Sequence, residues 1–280
     1  CATHVDAQPQ VSPEPSTLPE ILARDDQGRA TIRAVRVTAP MHVDGTLDEA
    51  IYSSVLPASD FIQMEPRGGQ VATEKTEVWL FYDHDNVYVT FRAWESAPDR
   101  TIANEMRRDS GNIRQGDSVG WGFDTFRDRR NAFQFEANSL GARTDGQSTN
   151  ERQYNADWNP VWRLAAGTFD GGWTIEAAIP FKSLRYAPGT VQDWGFQARR
   201  TNKWKNEIAY LTKIPPAFGL GRADFSASLF ANVVGLEAPP VSRNLELKPY
   251  AIADLTTDNV STPRRRNDPG GDVGLDAKYS

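Results

Sequence analysis

Cysteine and histidine are almost missing from this chain. Cys1 is the only cysteine in 280 residues, which excludes an intrachain disulfide and any Cys-based metal site. The histidines, His4, His42 and His84, are scattered without the spacing of metal ligands. Three methionines, Met41, Met64 and Met106, offer no evident axial pairing with those histidines, so a haem cofactor is not expected. No apolar run approaches the length of a membrane-crossing helix. Positive charge is in deficit: 31 Lys and Arg face 37 Asp and Glu, a net charge of −6. A phosphate backbone needs a basic surface, so no nucleic-acid partner is expected. Helical periodicity is nearly absent as well. What remains is 39 % hydrophobic residues, 10 % aromatics and eight tryptophans, enough to build a core for one large β domain or two smaller units.

The chain is organised around Gln115 to Gly141, QGDSVGWGFDTFRDRRNAFQFEANSLG. Two alternating runs flank a charged turn, the signature of a β-hairpin. Val119, Trp121, Phe123 and Thr125 share one face of the first run; Ser118, Gly120, Gly122 and Asp124 share the other. Phe133, Phe135 and Ala137 oppose Gln134, Glu136 and Asn138 in the second. Facing Trp121 and Phe123 with Ala137 and Phe135 requires an odd loop, most simply Asp128-Arg129-Arg130. The apolar face is read as core. The glycine-floored polar face is read as the working surface.

Taken in order, Val5-Asp6-Ala7 before Gln8 has the form of a signal-peptide cleavage site, making residues 1–7 the tail of a signal peptide. The alternative is that Cys1 is the lipidated first residue of a mature lipoprotein. Either places the protein outside the cytoplasm, in the periplasm or at the outer membrane or cell surface of a Gram-negative bacterium. Residues 1–30 are then a signal remnant and a flexible leader carrying Pro9, Pro13, Pro15 and Pro19. A first strand is expected over 32–37. Thr46 is expected to cap a short helical turn with Glu49 as its box partner. Residues 77–94 form a hairpin whose register pairs Tyr82 with Val87, Leu80 with Val89, Val78 with Phe91 and Glu77 with Arg92. Polar residues 142–159 read as a long loop. Strands near 161–166, 173–179, 194–199 and 207–213 complete about nine short strands. The fold class is therefore all-β, an antiparallel β-sandwich over 31–240. Pro239-Pro240 breaks the chain. Beyond it Leu245–Thr256, and Val273, Leu275, Ala277 and Tyr279, alternate as outer-membrane barrel strands do. Two strands cannot close a barrel, so 241–280 is read as the start of a β-barrel that the sequence truncates. An ordinary soluble hairpin is the alternative.

From about Ile32 to Leu236 the chain resembles the family 9 carbohydrate-binding module. The likeness is carried by Val43–Ala50 (VDGTLDEA), Val78–Asp83 with Val87–Phe91, Gly116-Asp117-Ser118-Val119, Phe133–Asn138, and Gly172–Pro180 (GWTIEAAIP). Asn138–Gly141, Phe181–Tyr186 and Trp194-Gly195-Phe196 resemble a subgroup in which this module precedes an outer-membrane β-barrel of uncharacterised function. The resemblance implies an immunoglobulin- or jelly-roll-like sandwich. It implies non-catalytic binding of a polysaccharide or oligosaccharide at the bacterial surface, linked to carbohydrate uptake or catabolism. The chain also departs from the pattern. Ile113-Arg114-Gln115 stand where sugar-binding members place a clamping Trp, and Gly120 stands where they carry a carboxylate.

A sugar site is expected on the polar face, with Gly120, Gly122 and Gly195 as a flat floor and Gln134, Glu136, Asn138, Gln197 and Arg199 as hydrogen-bonding groups. Trp94, in the polar phase of its strand, and Trp158, in the polar loop, are the candidate stacking platforms. Their ordinary role would be to cover a sandwich edge. Asp124 and Glu136 lie diagonally on one face, as glycosidase carboxylates do, but nothing raises the pKa of either, and no catalytic residue is assigned. Asp83, Asp85 and Asn86 could hold a structural calcium ion, against the simpler reading of an Asx turn. No other cofactor is expected; the expected partners are a glycan and, through the barrel, the outer membrane. The competing functions are a structural or gating domain of a barrel with no sugar ligand, and a component of a polysaccharide hydrolase.

Overall fold

The computed structural model describes residues 21–240, 245–258, 260, 262–263 and 265–279. The signal-peptide and lipidation expectations fall on residues 1–20, outside the described residues. Contacts divide the chain into two units, Cys1–Pro240 and Val241–Ser280.

The first unit is the β-sandwich that the alternating pattern predicts, antiparallel except for one parallel pairing in each sheet. One sheet runs in the order β1 (Leu22–Arg24), β2 (Ala30–Arg33), β15 (Ala231–Glu237), β13 (Val191–Asn202), β7 (Ser118–Asp124), β8 (Ala132–Asn138), β9 (Arg143–Thr149) and β10 (Gln153–Asn155). β14 (Glu207–Tyr210) also pairs with β13 and continues to β4 (Ile62–Glu65). The second sheet has the order β11 (Arg163–Phe169), β12 (Gly172–Pro180), β6 (Asn86–Trp94), β5 (Thr76–Tyr82) and β3 (Val35–Arg36). Val78, Leu80 and Phe91 from the second sheet meet Trp121, Phe123, Phe135, Trp194 and Phe196 from the first in one core.

The β5–β6 register is the one that cross-strand chemistry specifies, with Tyr82 opposite Val87 and Glu77 opposite Arg92. The outer face of these strands is apolar too. Trp79, Phe81 and Tyr88 are buried beneath a short helix, α1 (Ala50–Ser54), whose Tyr52 packs edge-on against Trp79. Thr46 does not cap α1, in contrast to the capping-box expectation. Asp44 Oδ1 accepts the Thr46 N–H, and Glu49 Oε1 accepts the His42 N–H, so both carboxylates are spent on the preceding turn. Gly45 in that turn has φ +91°, and a Cβ there would lie 2.6 Å from the Ala166 carbonyl, so no other residue fits.

The strand expected over 32–37 is two strands. Ile32 pairs with Val233 in one sheet and Val35 pairs with Phe81 in the other, so the chain crosses the sandwich at buried Ala34. The region read as a polar loop, 142–159, contains the strands β9 and β10. Both of its side-chain phases are polar, which hides the alternation, but the free edge of β8 pairs with it from Ala137↔Arg143 to Ala132↔Ser148.

The leader expectation fails over 21–30. Ile21 is buried, β1 pairs with β2, and the Arg24 guanidinium donates at 3.0 Å to the carbonyls of Ser59, Asp60 and Leu211. Deleting residues 21–28 is therefore expected to destabilise the sandwich by about 2–4 kcal/mol, the loss of one buried aliphatic side chain and several hydrogen bonds. A urea unfolding midpoint unchanged by the deletion would show β1 to be dispensable.

In the second unit β16 (Leu245–Asp258) pairs with β17 (Arg265–Tyr279). Leu247 faces Ala277, Pro249 faces Leu275 and Ala251 faces Val273, while Lys248, Asp276 and Asp272 occupy the alternate phase. Among the described residues no helix is long and apolar enough to cross a membrane.

Candidate functional site: the polar face of the first sheet

Three strands lay two polar rows across this sheet. Gly120 of β7 sits between Glu136 of β8 and Arg199 of β13, and Gly122 sits between Gln134 and Gln197. The glycines leave room for long side chains to bridge over them. A Cβ on Gly120 would lie 3.2 Å from the Arg199 guanidinium, and one on Gly122 would lie 2.9 Å from Gln134 Oε1. The central hairpin keeps the predicted parity but pairs Trp121 with Phe135 and Phe123 with Phe133, two residues along from the expected register. Its turn spans 125–131 rather than three residues, and Asp124 accepts the N–H groups of Asp128 and Arg129 there.

The rows are not open to solvent. Every residue of β7 and β8 is buried. The segment 211–230, between β14 and β15, lies over them, with Phe230 against Gly122 and Gly195. Asp224 of this segment joins an ion cluster. Arg199 donates to Glu136 Oε1 at 2.5 Å and to Asp224 Oδ2 at 2.6 Å. Arg114 donates to Glu136 at 2.7 Å and pairs ionically with Asp224 at 2.8 Å. Tyr210 donates to Asp224 Oδ1 at 2.8 Å, and Gln134 Nε2 donates to the Asp224 carbonyl at 2.9 Å. Burial pushes the Arg199 pKa down, but Asp224 and Glu136 outweigh it and hold the guanidinium charged. Burial pushes Asp224 up, and Arg199 and Arg114 outweigh that, so it lies below the ordinary carboxylate range.

Of the ten residues expected to form the sugar site, Gly120, Gly122, Gln134, Glu136, Gln197 and Arg199 line one small cavity here. Its volume is ≈ 20 Å³, room for about one water molecule. A sugar ring does not enter it in this conformation. The floor-and-fringe expectation is corrected accordingly: the groups converge, but on one another and on the covering segment. Gln197 is held by Thr212, its Nε2 donating to Oγ1 at 2.5 Å. The core residues Trp121 and Phe135 also line it, as do Arg114, Thr144, Tyr154 and Asp224. Sequence reasoning missed the last four. Tyr154 stacks on Phe225 at 5.3 Å and is 40 % exposed at the rim.

Asn138 lies beyond this cavity, at the end of β8. Its Nδ2 donates to the Glu105 carbonyl at 2.7 Å, and its Oδ1 accepts the Leu140 and Ala142 N–H groups. It forms part of the wall of a second, larger cavity of ≈ 400 Å³, with Asn104, Glu105, Asn112, Ile113 and Gln115. The side-chain amides of Asn104, Asn112 and Gln115 have no hydrogen-bond partner among the described residues. The Glu105 carboxylate is engaged by Arg107 and Ser110.

The two candidate stacking tryptophans lie elsewhere. Trp94, on the outer face of the second sheet, packs edge-on against Phe169 and donates to Glu77 at 2.9 Å. Trp158 turns inward onto Phe133, 4.7 Å between centroids, and onto Phe135. Trp94 therefore covers the outer face at the end of the central strand β6, and Trp158 covers the core beside β8. The Asp83 turn is closed by its own hydrogen bonds: Oδ1 accepts the Asp85 and Asn86 N–H groups and Oδ2 accepts the Tyr88 hydroxyl. Among the described residues no cluster of three His, Cys, Asp or Glu is placed to hold a metal.

Comparison with known proteins agrees with this architecture. A family model described as carbohydrate family 9 binding domain-like matches residues 43–209, more than half of the chain. A family 9 carbohydrate-binding module from Caldicellulosiruptor kristjanssonii, solved with glucose, is similar at 18 % identity and TM-score 0.51, covering 76 % of this chain and 98 % of that one. The structure of a family 9 module from that organism with cellotriose gives 16 % identity and TM-score 0.49, covering 75 % of this chain and 95 % of that one. A Bacteroides uniformis protein, whose assigned role is carbohydrate binding, gives 10 % identity and TM-score 0.55, covering 75 % of this chain and 99 % of that one. No curated protein matches. With the family's span running from the turn at Val43 through β14, this chain belongs to the carbohydrate family 9 binding domain-like family.

Proposed function

We propose that this chain is a non-catalytic carbohydrate-binding module whose neutral-sugar site is the cavity at the Asn138 end of β8. One observation carries the reading. Asn104, Asn112 and Gln115, all solvent-exposed, line ≈ 400 Å³, a volume in the range of small-ligand sites, and their amides have no hydrogen-bond partner among the described residues. Each amide offers both donors and acceptors, the chemistry that sugar hydroxyls require. Glu105 and Arg107 neutralise each other at the wall, so the site selects for an uncharged ligand. The family match and the glucose complex of a similar fold support the same ligand class.

Titration of glucose and cellotriose into the protein tests this. Asn112→Ala and Gln115→Ala are each expected to weaken binding by about 1 kcal/mol, roughly fivefold, with no sugar turned over. If both bind normally while Tyr154→Ala does not, the sugar lies at the Tyr154 rim instead. Silence towards a glycan array favours a structural or gating domain.

The β16–β17 hairpin supports an outer-membrane setting. Its strands exceed the 9–11 residues that cross a bilayer as a tilted strand. Leu247, Leu255, Val273 and Leu275 are exposed on its apolar face. In that setting sugar capture outside the cytoplasm would feed carbohydrate uptake or catabolism.

A further inference from the structure

The segment covering the polar face has a chemistry of its own. Phe230 sets a six-membered ring against Gly122, its Cε2 and Cζ 3.1 Å from where a Cβ would stand. Asp224 sets a carboxylate on Arg199 and Arg114 through one oxygen and on the Tyr210 hydroxyl through the other. A ring on a glycine floor and a carboxylate on paired guanidinium groups are the two parts of a hexuronate. Both parts come from one segment, 211–230, which begins just past the family match at residue 209.

Two further observations point to a ligand. Arg199 is 5 % exposed, lines the one-water cavity over Gly120, and its Nε has no hydrogen-bond partner among the described residues. Charge balance in the cluster depends on Asp224. Arg199 and Arg114 face Glu136 and Asp224; without Asp224 two cations meet one anion in a buried place. Such a site favours an incoming carboxylate, and guanidinium groups bind one with directional, charge-assisted hydrogen bonds.

We infer that the polar face is a second binding site, for the hexuronate units of an acidic glycan, and that Asp224 and Phe230 occupy it as resident stand-ins. The inference rests on the carbohydrate-binding reading but uses a different cavity and the opposite ligand charge. The covering segment carries only short helical turns, at 216–218, 220–223 and 227–229, and no strand pairing holds it. At Gly219, φ is +63° and no atom lies within 4 Å of a Cβ position, so the backbone there is left-handed and open on that side. Because the resident group is tethered, the apparent affinity for an external uronate is lowered by the fraction of time the face is open.

The test is titration of trigalacturonate and cellotriose into the full chain, as wild type, Asp224→Asn and Arg114→Gln. Asp224→Asn removes the resident charge and keeps the shape. It is expected to bind trigalacturonate at least about tenfold tighter than wild type, with cellotriose affinity within about twofold. That gain should shrink as salt is raised. Arg114 is half exposed, and Arg114→Gln is expected to fold and to lose trigalacturonate about tenfold in either background. Should Asp224→Asn not fold, Arg114→Gln alone decides, and an unchanged trigalacturonate affinity overturns the inference. An Asp224→Asn variant that gains nothing for trigalacturonate, or gains equally for cellotriose, overturns it too. Cellotriose binding without any trigalacturonate binding overturns this inference alone and leaves the neutral-sugar site standing. Binding of neither sugar overturns both.

Discussion

Phe135→Ala is expected to destabilise the sandwich by about 3–5 kcal/mol, read as a lower urea midpoint with an unchanged slope. Phe135 is 2 % exposed and touches four other aromatic rings. It stacks on Trp121 at 5.6 Å and 11° and meets Trp162, Trp158 and Phe123 edge-on. Those rings come from β7 and from the connection between β10 and β11, so truncation leaves a cavity that both elements would have to collapse to fill. Large neighbouring indoles cannot close it by a rotamer change, which puts the expected loss in the upper part of the range for buried aromatics. Phe135→Leu keeps much of the volume and is expected to cost about half as much. A loss under about 1 kcal/mol for Phe135→Ala would mean that the apolar face of the central hairpin is not the core face.

The same hairpin shows what a period-2 pattern contains. It fixes which residues share a face, because a one-residue slip inverts the faces. A two-residue slip preserves them, so the pairing of Trp121 with Phe135 rather than Ala137 could not be read from alternation. What decides it is the 125–131 turn, where Asp124 and Asp128 accept four backbone N–H groups between them. In β5–β6 the turn is short and the pairs carry charge and aromatic identity, so the register was legible outright. The polar face was legible as a phase and not as a surface. Nothing within β7, β8 or β13 says that Asp224 and Phe230 will lie over them, since those residues sit in an Ala- and Ser-rich segment without periodicity. Tyr154 was hidden for a related reason: it stands in a stretch whose two phases are both polar. The amide cavity was partly visible. Its Ile113 and Gln115 stand at the place where the resemblance looks for a tryptophan, and that departure marked the spot without naming what replaced it.

Arg199→Met is expected to be the most damaging single polar substitution, at about 3–5 kcal/mol. The guanidinium is the one group that reaches both Glu136 and Asp224 from inside the sheet, at 2.5 and 2.6 Å. Met fills a similar volume, so the loss isolates the charge rather than a cavity. After the change Glu136 and Asp224 share only Arg114, whose side chain is 47 % exposed and screened by solvent. Arg199→Lys is expected to recover little, because an ammonium group cannot bridge two carboxylates in the fixed fork of a guanidinium. The electrostatic origin has its own check. In the Arg199→Met background, Asp224→Asn removes an uncompensated buried charge and should restore about 1–2 kcal/mol, although it is destabilising alone. Acid gives a second check with a definite sign. Asp224 is depressed below its ordinary 3.8, so its contribution is present above that pH and is lost as pH falls through the lowered value. Arg199→Met removes the cause of the depression, so the variant's deficit relative to wild type should narrow on acidification. A deficit that stays constant from neutral pH to below 3.8 would assign the role of Arg199 to packing and not to the ion cluster.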